Sequence, residues 1–192
     1  MTFSRWELKK AQDYISLKPN LFSKSDLDFV TRYALFLEQT RDWEPDSQSP
    51  NVFSMYKNTI MDFLQFQLHE LIEKETGLTL LPTYNYFRIY RNGAILDKHK
   101  DRHACEISAT MLIGKNYSSP SWELHMEGDK ISQEVGDVVI YRGCELEHWR
   151  EPWVTEPNNY HVQLFVHFVD ADGPFEIFKG DEFNHVRAKT QP

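Results

Sequence analysis

The stretch Thr83-Tyr84-Asn85-Tyr86-Phe87-Arg88-Ile89-Tyr90, then Arg91-Asn92-Gly93, then Ile95-Leu96-Asp97-Lys98-His99-Lys100-Asp101 decides the fold. Its opening run is rich in aromatic and β-branched side chains, the types that suit a pleated, half-buried surface. Arg91-Asn92-Gly93 supplies a turn, and a second extended run follows it. Working outward, Thr83–Tyr90, Ile95–His99, Glu106–Ile113, Ser121–Glu127, Lys130–Val135, Asp137–Tyr141, Leu146–Trp149 and Tyr160–Val169 read as eight strands. Breaks fall at Arg91-Asn92-Gly93, Gly114-Lys115-Asn116, Glu127-Gly128-Asp129, Gly136-Asp137 and Arg142-Gly143. Strand runs at this spacing, with turn signals between them, predict an all-β sandwich or barrel.

Upstream of residue 78 the pattern is helical. Ser25-Asp26-Leu27-Asp28 reads as a helix start, followed by Phe29, Tyr33, Leu35, Phe36 and Leu37. A polar link, Pro45 to Asn51, precedes a second helix over Ser54–Thr76, where Tyr56, Ile60, Phe63, Leu64, Leu68, Leu71 and Ile72 recur at helical spacing. Gly77 stands where a C-cap glycine is expected. Such an amphipathic helix has a face to bury, and a sheet is the natural surface for it. The expected organisation is one domain over 1–192: helical support over 1–77, a β core over 78–170 and a C-terminal tail over 171–192.

Composition narrows the class of partner. A length of 192 residues suits a single well-buried core, and 14% aromatic residues suit a β-rich barrel. Net charge is −8 with no long Lys/Arg run, so no nucleic acid partner is expected. No apolar run reaches the roughly 18–20 residues of a membrane span, and Met1 to Lys10 lacks a secretory core. No membrane association and a cytoplasmic location are therefore expected. Cys105 and Cys144 read as reduced small apolar residues rather than a disulfide or a metal pair.

The chemistry lies in a histidine–carboxylate constellation. Strand alternation puts residues i and i+2 on one face, so His99 and Asp101 can address one ion. His148 follows a strand, a tight turn and a return strand over 136–148, which can bring it back to the same barrel end. Two imidazoles and a carboxylate cover three positions of Fe(II) and leave three open. Of the other histidines, His69 and His185 read as solvated, and His103, His125 and His167 as ordinary strand or loop residues.

Residues 81–173 resemble the prolyl 4-hydroxylase-like branch of the 2-oxoglutarate/Fe(II) oxygenases. Tyr84 to Gly93 followed by His99-Lys100-Asp101-Arg102 is similar to that family's strand, turn and first metal motif. Gly136-Asp137 through His148-Trp149-Arg150 is similar to the second, and Tyr160 to Val169 to the last barrel strand. The resemblance implies a double-stranded β-helix (jelly-roll) barrel, mainly β, with the N-terminal helices packed on the major sheet. It implies an Fe(II)- and 2-oxoglutarate-dependent dioxygenase with His99, Asp101 and His148 as catalytic metal ligands. Such an enzyme uses O2 to hydroxylate a C–H bond with release of succinate and CO2, and ascorbate serves as its reductant. The implied substrate is a peptidyl proline, an amino acid or another small metabolite.

One departure stands out. Many relatives carry a Lys or Arg at the start of the last strand, pairing with the distal carboxylate of 2-oxoglutarate; here that position holds His161. A buried dianion still needs a cationic or multi-donor partner. Arg150, two residues beyond His148 and on the same strand face, is the first candidate, His161 the second, and Tyr90 a further hydroxyl donor. Arg102 is expected to pair with an acidic neighbour such as Glu106, or to grip a substrate carboxylate. Trp122, Trp149 and Trp153 read as core. Substrate choice is expected to lie in the loops Lys115–Pro120 and Glu151–Asn159 and in the N-terminal segment. The alternatives are a cupin-type metal protein (an isomerase, a non-oxoglutarate dioxygenase or a small-ligand binding module) and a non-catalytic relative. Cupins usually carry His-x-His with a later Glu, against His-x-Asp here.

Overall fold

The computed structural model describes residues 14–181 apart from 43–45, 47, 51 and 119. Ten strands fall in two antiparallel sheets. The strands are β1 Tyr14–Leu17, β2 Phe53–Tyr56, β3 Leu80–Tyr90, β4 Leu96–His99, β5 Ile107–Lys115, β6 Leu124–Met126, β7 Asp129–Ile131, β8 Val138–Tyr141, β9 His148–Arg150 and β10 His161–Asp170. The major sheet runs β1-β8-β5-β10-β3-β2 and the minor sheet β4-β9-β6-β7. Helices α1 (Lys24–Thr40) and α2 (Thr59–Thr76) precede the barrel strands.

The pleat sorts the major sheet into two faces. Phe87 and Ile89 of β3, Ile107, Ala109 and Met111 of β5, Val138 and Ile140 of β8, and Val162, Leu164 and Val166 of β10 join one apolar cluster with Leu27, Leu37, Leu64, Leu68 and Ile72 of the helices. The alternate residues turn inward and are largely polar: Arg88, Ser108, Thr110, His161, Gln163 and His167 are all buried. The main apolar core therefore lies between sheet and helices, while the barrel interior carries these polar groups beside a smaller apolar cluster of Leu124, Met126, Ile131, Val139, Tyr141 and Leu146.

All eight sequence-predicted strands are present, with ends shifted by a few residues. The helices depart from expectation in detail. Ser23, not Ser25, caps α1, through a reciprocal capping box with Asp26. The buried stripe of α1 is Leu27, Val30, Thr31, Ala34 and Leu37, while Phe29 and Phe36 are 57% and 58% exposed. Phe63 of α2 is 60% exposed, because the stripe there runs through Met61, Leu64, Leu68 and Ile72. The second helix begins later than expected. Ser54 and Tyr56 lie in β2 on the free edge of β3, and the Asn58 side chain then caps α2 through Ile60 N and Met61 N. Gly77 ends it at φ 70°, the left-handed conformation predicted for it. β1 and β2 were not foreseen, since each exists only by pairing with a strand distant in sequence.

Three other expectations take definite form. Cys105 and Cys144 are both free, the first buried and the second half-buried. Trp122 and Trp153 stack in a small core at 5.4 Å, whereas Trp149 bonds Glu151 at 2.8 Å and lies outside it. No helix among the described residues is long and apolar enough to cross a membrane. The secretory-signal reading, His185 and the tail beyond 181 lie outside the described residues.

α1 packs tightly on β5 at Gly114, where an added Cβ would collide with the Thr31 side chain. Gly114→Ala is expected to destabilise the chain by about 1–3 kcal/mol, the usual cost of overpacking. In a Thr31→Ala background the same change should cost much less. Urea unfolding of the four proteins checks this, and equal costs in both backgrounds would contradict it.

Candidate metal centre

β4 and β9 pair antiparallel with His99 directly opposite His148, and Asp101 follows the end of β4. This register brings the two rings to 4.3 Å between centroids. Each histidine is held by its inner nitrogen: His99 Nδ1 lies 2.7 Å from Asp97 O, and His148 Nδ1 lies 2.9 Å from Leu146 O. A carbonyl can only accept, so both Nδ1 atoms carry the proton and both Nε2 atoms are left with free lone pairs. Asp101 Oδ1 lies 3.5 Å from His99 Nε2 and 3.7 Å from His148 Nε2. The three ligand atoms lie within 4.8 Å of one another. This N, N, O set leaves other positions open, a donor set that fits Fe(II).

The electrostatics keep Asp101 and His148 in ligand-competent forms. Burial works to raise the Asp101 carboxyl, but the adjoining imidazoles of His99, His148 and His167 reverse this and hold it well below the usual range. Burial lowers His148, against the opposing pull of Asp101. Tyr141 packs its ring 4.9 Å from His148 and is raised well above an ordinary phenol by burial.

A cavity of ≈ 420 Å³ opens on the triad. Its wall also includes Tyr84, Tyr86, Arg88, Phe165 and His167. Arg88 is 5% exposed and bonds Asp46 through Nε at 2.9 Å and Nη2 at 2.7 Å. Burial opposes its charge, but Tyr90, Tyr86 and Asp46 reverse this and raise its pKa. Sequence reasoning missed Arg88 as part of the site. The signal was there, since Tyr84, Tyr86, Arg88 and Tyr90 alternate on one face of β3.

Arg150, His161 and Tyr90 are brought together, but they do not line that cavity. Tyr90 is paired with His161 in register, and Arg150 points into the same interior from β9. Arg150 is 2% exposed, and its acceptors are neutral: Trp122 O, Gln163 Oε1 at 3.3 Å and Gln133 Oε1 at 3.5 Å. The Trp122 ring lies 5.0 Å from the guanidinium. No carboxylate pairs with Arg150 among the described residues, and burial lowers its pKa. His161 Nε2 meets Gln163 Oε1 at 2.8 Å and its Nδ1 meets Tyr117 Oη at 2.8 Å, so both ring nitrogens are occupied. Burial, and then the charge of Arg150, push His161 well below its ordinary pKa.

Other expected partners differ. Arg102 pairs with Asp181 at 2.6 Å, not with Glu106, and lies 4.4 Å over the Tyr84 ring. His69 is half-buried, with Nε2 2.9 Å from Leu80 O. His103 stacks on Phe175 and His125 on Trp149. His167, read from the sequence as an ordinary residue, lies in the cavity wall beside the triad.

No family model matches the sequence, and no curated protein matches it. Solved structures do. The chain is similar to the viral collagen prolyl hydroxylase of Paramecium bursaria Chlorella virus-1 in its 2-oxoglutarate complex, at TM-score 0.62 and 12% identity over 83% of this chain and 97% of that one. It is also similar to the Trichoplax adhaerens prolyl hydroxylase bound to a hypoxia inducible factor peptide, at TM-score 0.66 and 11% identity over 95% and 89% of the two chains. The α-ketoglutarate-dependent carbocyclase SnoK of nogalamycin biosynthesis matches at TM-score 0.67 and 12% identity over 100% and 92%. The fold is the double-stranded β-helix of the 2-oxoglutarate/Fe(II) oxygenases.

The buried histidines set an acid limit on stability. His167 is pulled to about 4, first by burial, while an unfolded histidine titrates near ~6.5. Between these values the unfolded chain binds a proton that the folded chain refuses, so stability falls as pH drops through this window. His167 alone contributes about 3 kcal/mol to that fall, and His161 acts in the same direction. The thermal midpoint of the metal-free protein should therefore drop from pH 6.5 to 4, and less steeply in His167→Phe. A flat profile would contradict this.

Proposed function

We propose that the chain is an Fe(II)- and 2-oxoglutarate-dependent oxygenase that hydroxylates a C–H bond. The observation that carries the reading is the convergence of His99 Nε2, His148 Nε2 and Asp101 Oδ1 in the barrel, with both Nδ1 atoms already committed to carbonyls. The fold shared with prolyl hydroxylases supports it. Bound iron, 2-oxoglutarate and dioxygen would supply the oxidising chemistry, releasing succinate and CO2.

The chain's own residues supply binding and geometry. His99, His148 and Asp101 hold the metal on one side, and the carboxylate offsets part of its charge. Arg150 anchors the distal carboxylate of 2-oxoglutarate. A buried guanidinium facing only neutral carbonyls is costly, and a carboxylate relieves that cost. Arg88 is the weaker candidate, because Asp46 already neutralises it. Tyr90 lends a hydroxyl nearby, and His161 holds Gln163 against Arg150 rather than touching the cosubstrate itself. The cavity beside the triad suits a small molecule or a single residue of a peptide. The substrate is thus a peptidyl proline, an amino acid or a similar small metabolite.

Anaerobic titration with Fe(II) and 2-oxoglutarate tests the reading through the visible metal-to-ligand charge-transfer band. The band should form in the wild type and vanish in His99→Ala and Asp101→Ala. Iron bound without the band would overturn the reading. In Arg150→Met the apparent 2-oxoglutarate affinity should fall by ~10²-fold or more, as for loss of one partner of a buried charge pair. Arg88→Met should change it far less. The reverse order would move the anchor to Arg88.

A further inference from the structure

Asp101 is fastened on the side away from the histidines. Its backbone N–H donates to Gly143 O at 2.9 Å, and its Oδ2 accepts the Ser108 hydroxyl at 3.1 Å. Ser108 Oγ in turn lies 2.9 Å from His167 Nδ1. Ser108 and His167 are direct partners in the register of β5 and β10, the two central strands of the major sheet. All of this lies in buried surroundings, with Ser108 fully enclosed and His167 5% exposed.

Proton counting orders the chain of contacts. A serine has one hydroxyl proton, and a carboxylate oxygen can only accept. If Ser108 donated to His167, its lone pairs would face the Asp101 carboxylate. Ser108 Oγ also lies 3.2 Å from Cys105 O, but the charged Asp101 Oδ2 at 3.1 Å is the stronger acceptor, so the favoured arrangement has His167 Nδ1–H donating to Ser108 Oγ and Ser108 O–H donating to Asp101 Oδ2. The contacts are closely packed, since a Cβ at Gly143 would collide with Asp101 Oδ2, Ser108 Oγ and Cys105 O.

We propose that Ser108 and His167 are a positioning pair that pins Asp101 Oδ2, so that Oδ1 alone is presented to a metal held by His99 and His148. This rests on the metal reading above. A carboxylate free to rotate would chelate through both oxygens and block a coordination position that cosubstrate or dioxygen needs. His167 and Ser108 touch no ligand atom of the metal other than through Asp101 and act by fixing it. The same neighbourhood holds a rival arrangement, because Asp101, Cys105 and His167 also present donors within 4.8 Å of one another. The Cys105 thiol, however, already meets Tyr84 Oη at 3.0 Å, and burial pushes it well above an ordinary thiol, so it is held from the thiolate form a metal would need.

The test is calorimetric titration of the metal-free full chain with Mn(II), with folding checked by thermal denaturation. Ser108→Ala and His167→Phe should each weaken Mn(II) binding by ~10–100-fold, the usual effect of losing an outer-shell partner. His167→Asn, whose amide keeps a donor near the Nδ1 position, should restore near-wild-type binding. The double variant Ser108→Ala/His167→Phe should be no weaker than Ser108→Ala alone, because the pair acts as one unit. Wild-type affinity in both single variants, failure of His167→Asn to rescue, or additive losses in the double variant would overturn the proposal. So would a second Mn(II) equivalent that disappears with Cys105→Ser, since His167 would then be a ligand. If Ser108→Ala does not fold, the comparison of His167→Phe with His167→Asn decides. A folded wild type that binds no Mn(II) overturns the metal reading and this proposal together. Wild-type binding lost in Asp101→Ala but kept in Ser108→Ala sinks this proposal alone.

Discussion

The two-residue pleat of the major sheet is the constraint on which the rest depends. Along β3, β5, β8 and β10 one set of side chains is apolar and lies against α1 and α2, and the other faces the barrel. A slip of one residue would exchange the sets, exposing Phe87, Ile89 and Leu164 to a polar interior and burying Arg88 and Gln163 under the helices. Stability and site are thus set by one register. The apolar face holds the fold together, and that frees the inner face to carry arginines, histidines and glutamines that would otherwise be costly to bury.

Within the barrel the polar groups divide into three sets. The candidate metal ligands lie where β4 meets β9, and the two histidines are locked by local carbonyls. Behind them, Ser108 and His167 tie Asp101 to the major sheet. Arg88 is matched by Asp46, while Arg150 faces Trp122, Gln133 and Gln163, none of which carries charge. The unmatched cation is the one whose environment a bound dianion would complete. Net charge of −8 says little about this interior, since Arg88 and Arg150 are both enclosed.

Much of this was legible in the sequence. The aromatic, β-branched runs between turn residues marked eight strands, and Gly77 marked the end of the second helix. The spacing of His99 and Asp101, with His148 after a return strand, marked three residues that the fold does bring together. Edge strands β1 and β2 were not legible, because their only support is a partner far away in the chain. Phe63 misled the reading of the second helix's face, since its hydrophobicity says inside while the stripe geometry turns it out. Arg88 and His167 were overlooked for a different reason: a single inward position gains its meaning from what the neighbouring strands place opposite it. His161 matched a family position, yet only the structure places Tyr117 and Gln163 on its two nitrogens.

The most direct test of the central claim is an anaerobic crystal structure of the full chain with Mn(II) and 2-oxoglutarate. The account predicts one metal bonded to His99 Nε2, His148 Nε2 and a single oxygen of Asp101, with the distal carboxylate of 2-oxoglutarate on Arg150. A metal elsewhere, or a cosubstrate carboxylate held by Arg88 in place of Asp46, would contradict it.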